Sequence, residues 1–241
     1  MNGAARALRT ALLTAARGMK DARLNTGSAG NASVRTADGM LITPSGMAPE
    51  ECTEHDLVAL GYDGRYRAPV RDGMLAPSSE WRLHADLYRT HANAGAIIHS
   101  HAPFATALAC QRLDIPPFHY MIARFGGNDV RCARYATFGT QALSDHVREA
   151  MDGRCACLLA NHGMVVIGDD PRHALSLAIE FEALCEQYWR TLQLGPPVLL
   201  GADEMRAVSE RFTTYGRPRK ANGTAPDSTP ERPGTGPDDP P

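Results

Sequence analysis

The sequence predicts an α/β fold in which a mixed or antiparallel sheet carries helices packed on it. Three observations lead there. Short apolar runs, such as residues 96–100, are interleaved with stretches of helical periodicity in an irregular order, unlike a regular βαβ series. Residues 32–36 and 40–43 face each other across Ala37-Asp38-Gly39, a hairpin signal. At 241 residues with 43% hydrophobic content, the chain can bury the core of one domain.

The elements follow in order. "AARALRTALLTAARGMK" carries Leu8, Leu12 and Leu13 at helical spacing. Its basic residues Arg6, Arg9, Arg17 and Lys20, with no acid among them, imitate a transit peptide. A glycine-rich turn follows at once, however, so the segment reads as a structural first helix. "LNTGSAGNASVRTADGMLITPSG" then leads through a glycine-rich loop into the hairpin, closed by Pro44-Ser45-Gly46. "APSSEWRLHADLYRTHANA" reads as a helix with Ser78 and Ser79 at its N-terminus and Glu80 in its first turn, Trp81, Leu87 and Tyr88 being among its apolar positions. The apolar strand ending in "HSH" comes next, and Pro103 opens the following helix. Further strands are expected around 130–136 and 157–159, with a hairpin return through 164–167. Pro171 opens the longest helical pattern, "PRHALSLAIEFEALCEQYWRTLQL". From about Gly216 the chain turns to proline, glycine and charge, so a domain over 1–215 and a disordered tail over 216–241 are expected.

A net charge of −2 gives no basic surplus, so neither nucleic acid nor an anionic membrane is expected as partner. No run approaches a transmembrane span. Cys52, Cys110, Cys132, Cys155, Cys157 and Cys185 are scattered, with no repeated C-x-x-C spacing and no secretory leader. Reduced thiols and a cytoplasmic location are the expectation. Cys155 and Cys157 fall in a core strand and read as small buried side chains rather than ligands.

The chemistry starts at "AIIHSHAPF". In an extended strand His99 and His101 point to the same face and offer two neutral nitrogen ligands suited to zinc or a related divalent metal. Alone, the motif more often describes one core-packed and one exposed histidine. "LLANHGMVVIG" adds His162 in a tight turn after an apolar strand, a third imidazole at the end of a sheet. Three histidines leave a tetrahedral metal one position short, and Glu80 can fill it and become a general base when substrate displaces it. The competing reading of Glu80 is a helix-terminal acid that complements the dipole. Three loops could form an anion cradle: "TGSAGN" with Ser28, Gly30 and Asn31, "TPSG" with Ser45 and Gly46, and Ser78-Ser79 at a helix start.

With these residues in view, the chain resembles the class II aldolase/adducin family, on the side of its sugar-phosphate aldolases. The resemblance rests on "GSAGNASVR", "GMLITPSG", "PSSEWRLH", "AIIHSHAPFATAL", "IPPFHYMIA", "GGNDVRCARYATFGT", "NHGMVVIG" and "FTTYG", which run in the family's order from the first helix to about Gly216. It implies a three-layer αβα fold with helices on both faces of the sheet. It also implies His99, His101, His162 and Glu80 as ligands of Zn2+, or of Mn2+ or Co2+, with Glu80 also acting as acid/base. The phosphate cradle would comprise Ser28, Gly30, Asn31, Ser45, Gly46, Ser78 and Ser79; Ser28 and Ser45 stand where family members carry threonine and keep the hydroxyl. Tyr120 would reach into a neighbouring subunit's site to handle the proton on the aldehyde half's oxygen, and Phe138 and Tyr215 would wall the aldehyde pocket. A homotetramer with sites at subunit interfaces would complete them.

The implied reaction is retro-aldol cleavage of a phosphorylated ketose, L-fuculose 1-phosphate or a 5-deoxypentulose 1-phosphate, to dihydroxyacetone phosphate and a short aldehyde. The only lysines are Lys20 and Lys220, one in the first helix and one in the tail, which argues against a Schiff-base route. The nearest alternative is a sugar-phosphate 4-epimerase of the same family; Tyr120 and Gly126-Gly127-Asn128 favour the aldolase. A non-catalytic adducin-like scaffold would not need the complete ligand set. A metal hydrolase of the amidohydrolase kind would carry its H-x-H in the first strand of a much longer barrel.

Overall fold

A computed structural model describes residues 3–69 and 73–214. Tyr215 and the expected tail lie outside the described residues. Among the described residues seven strands form one mixed sheet in the order β3-β2-β1-β4-β7-β6-β5. They are β1 Asn31–Thr36, β2 Gly39–Ile42, β3 Val58–Leu60, β4 Ala96–Ser100, β5 Cys132–Ala133, β6 Ala156–Leu159 and β7 Gly163–Gly168. All neighbours pair antiparallel except β5 and β6, which are parallel.

The helices are α1 Gly3–Asp21, α2 Trp81–Thr90, α3 Pro103–Cys110, α4 Gln141–Ala150, α5 Pro171–Leu194 and α6 Ala202–Thr214, with a 3-10 helix at Tyr120–Phe125. Strand alternation divides them between two faces. Ala32, Val34, Ala96, Ile98, Leu158 and Val166 pack in the same cluster as Leu12 of α1, Ala105 of α3, Phe181 of α5 and Met205 of α6. Met40, Ile42, Ile97, Leu159 and Val165 pack with Leu83 and Leu87 of α2 and with Leu143 and Val147 of α4. Helices therefore cover both faces, giving three layers.

The N-terminal segment is part of this fold: α1 buries Leu12, Leu13, Ala15, Ala16 and Met19. Its basic residues hold the loop before β3, Arg9 donating to the carbonyls of Glu54 and Leu57 and Arg17 to those of Pro49 and Cys52.

Three expectations need correction. The strand expected around 130–136 shrinks to Cys132–Ala133, with Val130 forming an isolated bridge to Ile115. The hairpin turns on Ala37 and Asp38 alone, because Thr36 pairs directly with Gly39. Glu80 precedes the first turn of α2 instead of lying in it, and its side chain caps nothing.

The antiparallel register explains how distant residues meet. Ser100 at the end of β4 pairs with Met164 near the start of β7, so His101 and His162 come together just beyond the same sheet edge. Asn31, which opens β1, pairs with His99. Ser33 pairs with Ile42, so the turn after β2 returns to this edge, and a bridge from Pro44 to Pro77 brings in the start of α2.

Candidate active site

His99 is completely buried. Its Nδ1–H donates to the Met164 carbonyl at 2.9 Å, since a carbonyl oxygen can only accept. That bond keeps the Nδ1 proton in place and turns Nε2 toward the site, where it can carry a proton or ligate a metal. Nε2 lies 3.1 Å from His101 Nε2 and 3.0 Å from Glu80 Oε2. The ring of His162 closes the triad, with centroids 4.7 Å from His99 and 5.0 Å from His101. One nitrogen from each of the three histidines falls within 4.8 Å of the others.

The turn presenting His162 depends on its neighbours. Asn161 has φ of 55°, in the left-handed region that asparagine tolerates, and a Cβ on Gly163 would collide with the Ser100 carbonyl oxygen. Asn161 Oδ1 accepts from Arg112 Nε at 2.9 Å, which holds the turn from outside.

Glu80 is buried, and its two oxygens differ. Oε2 accepts from Asn31 Nδ2 at 3.0 Å. Oε1 has no hydrogen-bond partner and lies 3.5 Å from His162 Nε2. Burial resists its ionisation, but a protonated His99, itself pushed above its ordinary value by this carboxylate against its own burial, outweighs that with help from His162 and Asn31 and holds the carboxyl far below its ordinary value. Burial and neighbouring His99 push His101 below its ordinary value and His162 down to about 4, so both rings keep a lone pair at neutral pH.

Opposed lone pairs and an orphaned buried carboxylate oxygen are costly unless a cation lies between them. Three imidazoles and one carboxylate are a donor set that suits Zn2+. The residues present therefore fit a divalent metal.

A cleft of about 380 Å³ opens from this cluster. All seven expected cradle residues, Ser28, Gly30, Asn31, Ser45, Gly46, Ser78 and Ser79, line it together with Glu80, His101 and His162. The start of α2 forms one wall, where the Ser78 hydroxyl accepts from the Glu80 amide at 3.3 Å. Neutral hydroxyls beside a helix start are suited to an anion. Phe138 also lines the cleft and is 64% exposed. Tyr135 lines it as well; the sequence pattern does not single it out, because only the loop after β5 brings it there. Tyr120 is half-exposed, packs on His119 and Phe212, and does not line the cleft of its own chain.

Comparison with known proteins gives the family. The chain is 50% identical over 216 residues to the 5-methylthioribulose-1-phosphate/5-deoxyribulose-1-phosphate aldolase of Rhodospirillum rubrum, covering 90% of this chain and 96% of that protein. It is 45% identical over 194 residues to the L-fuculose phosphate aldolase of Escherichia coli K12, covering 80% and 88%. A solved L-fuculose 1-phosphate aldolase superimposes with a TM-score of 0.80 at 37% identity, over 86% of this chain and 96% of that one. The family profile described as Class II Aldolase and Adducin N-terminal domain matches residues 10–189, a span that holds every histidine of the triad, Glu80 and the three cradle loops. The chain belongs to the class II aldolase and adducin family.

Proposed function

We propose that the chain cleaves a ketose 1-phosphate, L-fuculose 1-phosphate or a 5-deoxypentulose 1-phosphate, into dihydroxyacetone phosphate and a short aldehyde by a metal-dependent retro-aldol reaction. The observation that carries this reading is one cleft with a three-histidine, one-carboxylate cluster at its floor and neutral donor loops at a helix start along its wall. A ketose 1-phosphate has the matching groups, an anion at C1 and adjacent carbonyl and hydroxyl oxygens at C2 and C3. The named activities of the Rhodospirillum and Escherichia relatives support it.

His99, His101, His162 and Glu80 would hold a divalent cation such as Zn2+, which would supply Lewis acidity against the negative charge developing on those oxygens. Ser28, Gly30, Asn31, Ser45, Gly46, Ser78 and Ser79 hold and orient the phosphate. Tyr120 of a neighbouring copy takes the proton of the C4 hydroxyl as the C3–C4 bond breaks and returns it to solvent, while Glu80, displaced toward the substrate and protonated from solvent, delivers a proton to C3. In sum C4–OH loses one proton and C3 gains one, so no redox partner enters. Among the described residues the only lysine, Lys20, lies on α1 paired with Glu50, away from the cleft. The test is coupled release of dihydroxyacetone phosphate from each candidate ketose. Release lost to a chelator and restored by Zn2+ is expected, and the ranking of kcat/KM assigns the aldehyde half. Chelator-resistant release, or return of an epimer with no dihydroxyacetone phosphate, would overturn the reading.

A homotetramer with shared sites is part of this proposal. It is supported by the half-exposed Tyr120 outside its own cleft and by Leu194 and Val198, each 92% exposed. Co-expressing Glu80→Gln with Tyr120→Phe chains then restores activity that neither has alone. Random cyclic mixing pairs intact halves at about a quarter of the sites. Verified mixed oligomers with no recovered activity, or a fully active monomer, would contradict it.

A further inference from the structure

β1 carries polar residues on the sheet face where its neighbours are apolar: Asn31, Ser33 and Arg35, at every second position, lie under Glu80, His84 and Tyr88 of the α2 segment, at every fourth. The spacings match, since two residues of strand advance about 6.6–6.8 Å and four of helix about 6.0 Å. The two stripes interlock in a zigzag. Asn31 Nδ2 lies 3.0 Å from Glu80 Oε2, and Asn31 Oδ1 lies 2.5 Å from His84 Nε2. His84 Nδ1 lies 2.7 Å from Ser33 Oγ, which lies 2.9 Å from the Tyr88 hydroxyl.

Chemistry fixes the direction of every link. The Glu80 carboxylate can only accept, so the Asn31 nitrogen faces it and the Asn31 oxygen faces His84. His84 therefore carries its proton on Nε2, leaving Nδ1 to accept from Ser33, whose oxygen accepts from Tyr88. A completely buried imidazole is disfavoured in its charged form, and burial, then His99, push His84 down to about 3, consistent with one proton and one lone pair. Arg35 closes the far end of the seam, donating to the Tyr88 and His91 carbonyls at 2.9 and 2.8 Å at the C-terminus of α2.

We propose that His84 is a positioning residue for Glu80: through Asn31 it locks the carboxylate by Oε2 and leaves Oε1 free toward His162. This rests on the reading of Glu80 as metal ligand and acid/base. Without the Nε2–H of His84, the Asn31 amide is free to turn its oxygen toward the carboxylate, and Glu80 loses its fixed aim.

The test is a ladder of variants read by Zn2+ affinity in chelator competition, with no substrate present, and by kcat and KM for cleavage. His84→Leu keeps the volume and removes the donor, and should weaken Zn2+ binding or lower kcat by about 10–100-fold, the usual scale for groups behind a metal ligand, with KM little changed. His84→Gln can again donate to Asn31 Oδ1 and should recover most of both losses, which a simple packing role would not produce. Ser33→Ala frees the His84 tautomer and should give a smaller loss of the same kind; it also serves if His84→Leu does not fold. Unchanged Zn2+ affinity and kcat in the folded His84→Leu or Ser33→Ala protein, or His84→Gln no better than His84→Leu, would overturn the proposal. Because the Zn2+ ladder needs no substrate, it stands or falls separately from the aldolase reading, which fails instead if the wild-type protein binds Zn2+ yet releases no dihydroxyacetone phosphate.

Discussion

Replacing His99 by alanine removes bound metal and cleavage together. The other ligands cannot compensate, because His99 supplies the one completely buried imidazole of the triad and its tautomer is fixed by the Met164 carbonyl. Without it His101 and His162 offer two nitrogens and Glu80 a carboxylate, a set weaker and less defined than the tetrahedral one. Losing several kcal/mol of stabilisation of the developing charge corresponds to a fall in kcat/KM of about 10³-fold or more. Metal analysis of the purified variant should show less than about a tenth of an equivalent per chain, against about one for the wild type. A cavity in the core also costs stability, so His101→Ala, at a partly exposed position, is the companion variant and should lose metal while melting closer to the wild type. Full metal content and activity in folded His99→Ala would remove this histidine from the ligand set.

The sequence made the centre of this molecule legible where local chemistry and periodicity agree. β4 is five buried residues that hold His99, with His101 just past its end, β7 follows a turn that needs Asn161 and Gly163, and Pro103 and Pro171 each open a helix. Other elements carry too little local signal. β3 has three residues, too short for alternation to register, and exists because β2 offers it a paired edge. α4 has its start marked by Thr140, whose hydroxyl accepts from the Leu143 amide, but only ten residues follow, and Leu143 and Val147 show their purpose only against α2. α6 is mostly polar and contributes the buried Met205 to the core.

The site divides in the same way. The triad and the loops are dense in residues of restricted chemistry, so their meeting was legible before any geometry. His84 was not, since one histidine four positions after a glutamate on a helix is ordinary, and its partners Asn31 and Ser33 lie about fifty positions earlier. The retrospective signal is a coincidence of two stripes, N-x-S-x-R on a strand and E-x-x-x-H-x-x-x-Y into a helix. Glu80 shows the physical conflict most clearly. Its place before α2 suits a dipole-complementing acid, yet its side chain turns from the helix toward His99 at 3.0 Å and His162 at 3.5 Å.

Glu80→Gln is therefore the variant that separates metal binding from proton transfer. Glutamine has nearly the same shape and can still place an oxygen near the three histidines, so Zn2+ supplied in excess should remain bound by His99, His101 and His162. What it cannot do is carry a proton to and from carbon. The expected loss in cleavage is about 10²–10⁴-fold, the range typical of a positioned acid/base. The sharper measurement uses dihydroxyacetone phosphate alone in D2O. By microscopic reversibility, the group that protonates C3 during cleavage must remove a proton from that carbon in the reverse direction. Wild-type protein should therefore exchange one of the two C3 hydrogens for deuterium, stereospecifically and without any aldehyde present. Glu80→Gln loaded with Zn2+ should exchange it at least about 10²-fold more slowly. Tyr120→Phe should retain exchange while losing cleavage, because its proton belongs to the aldehyde half. Undiminished exchange in Glu80→Gln would mean that another group is the base and that Glu80 serves the metal alone.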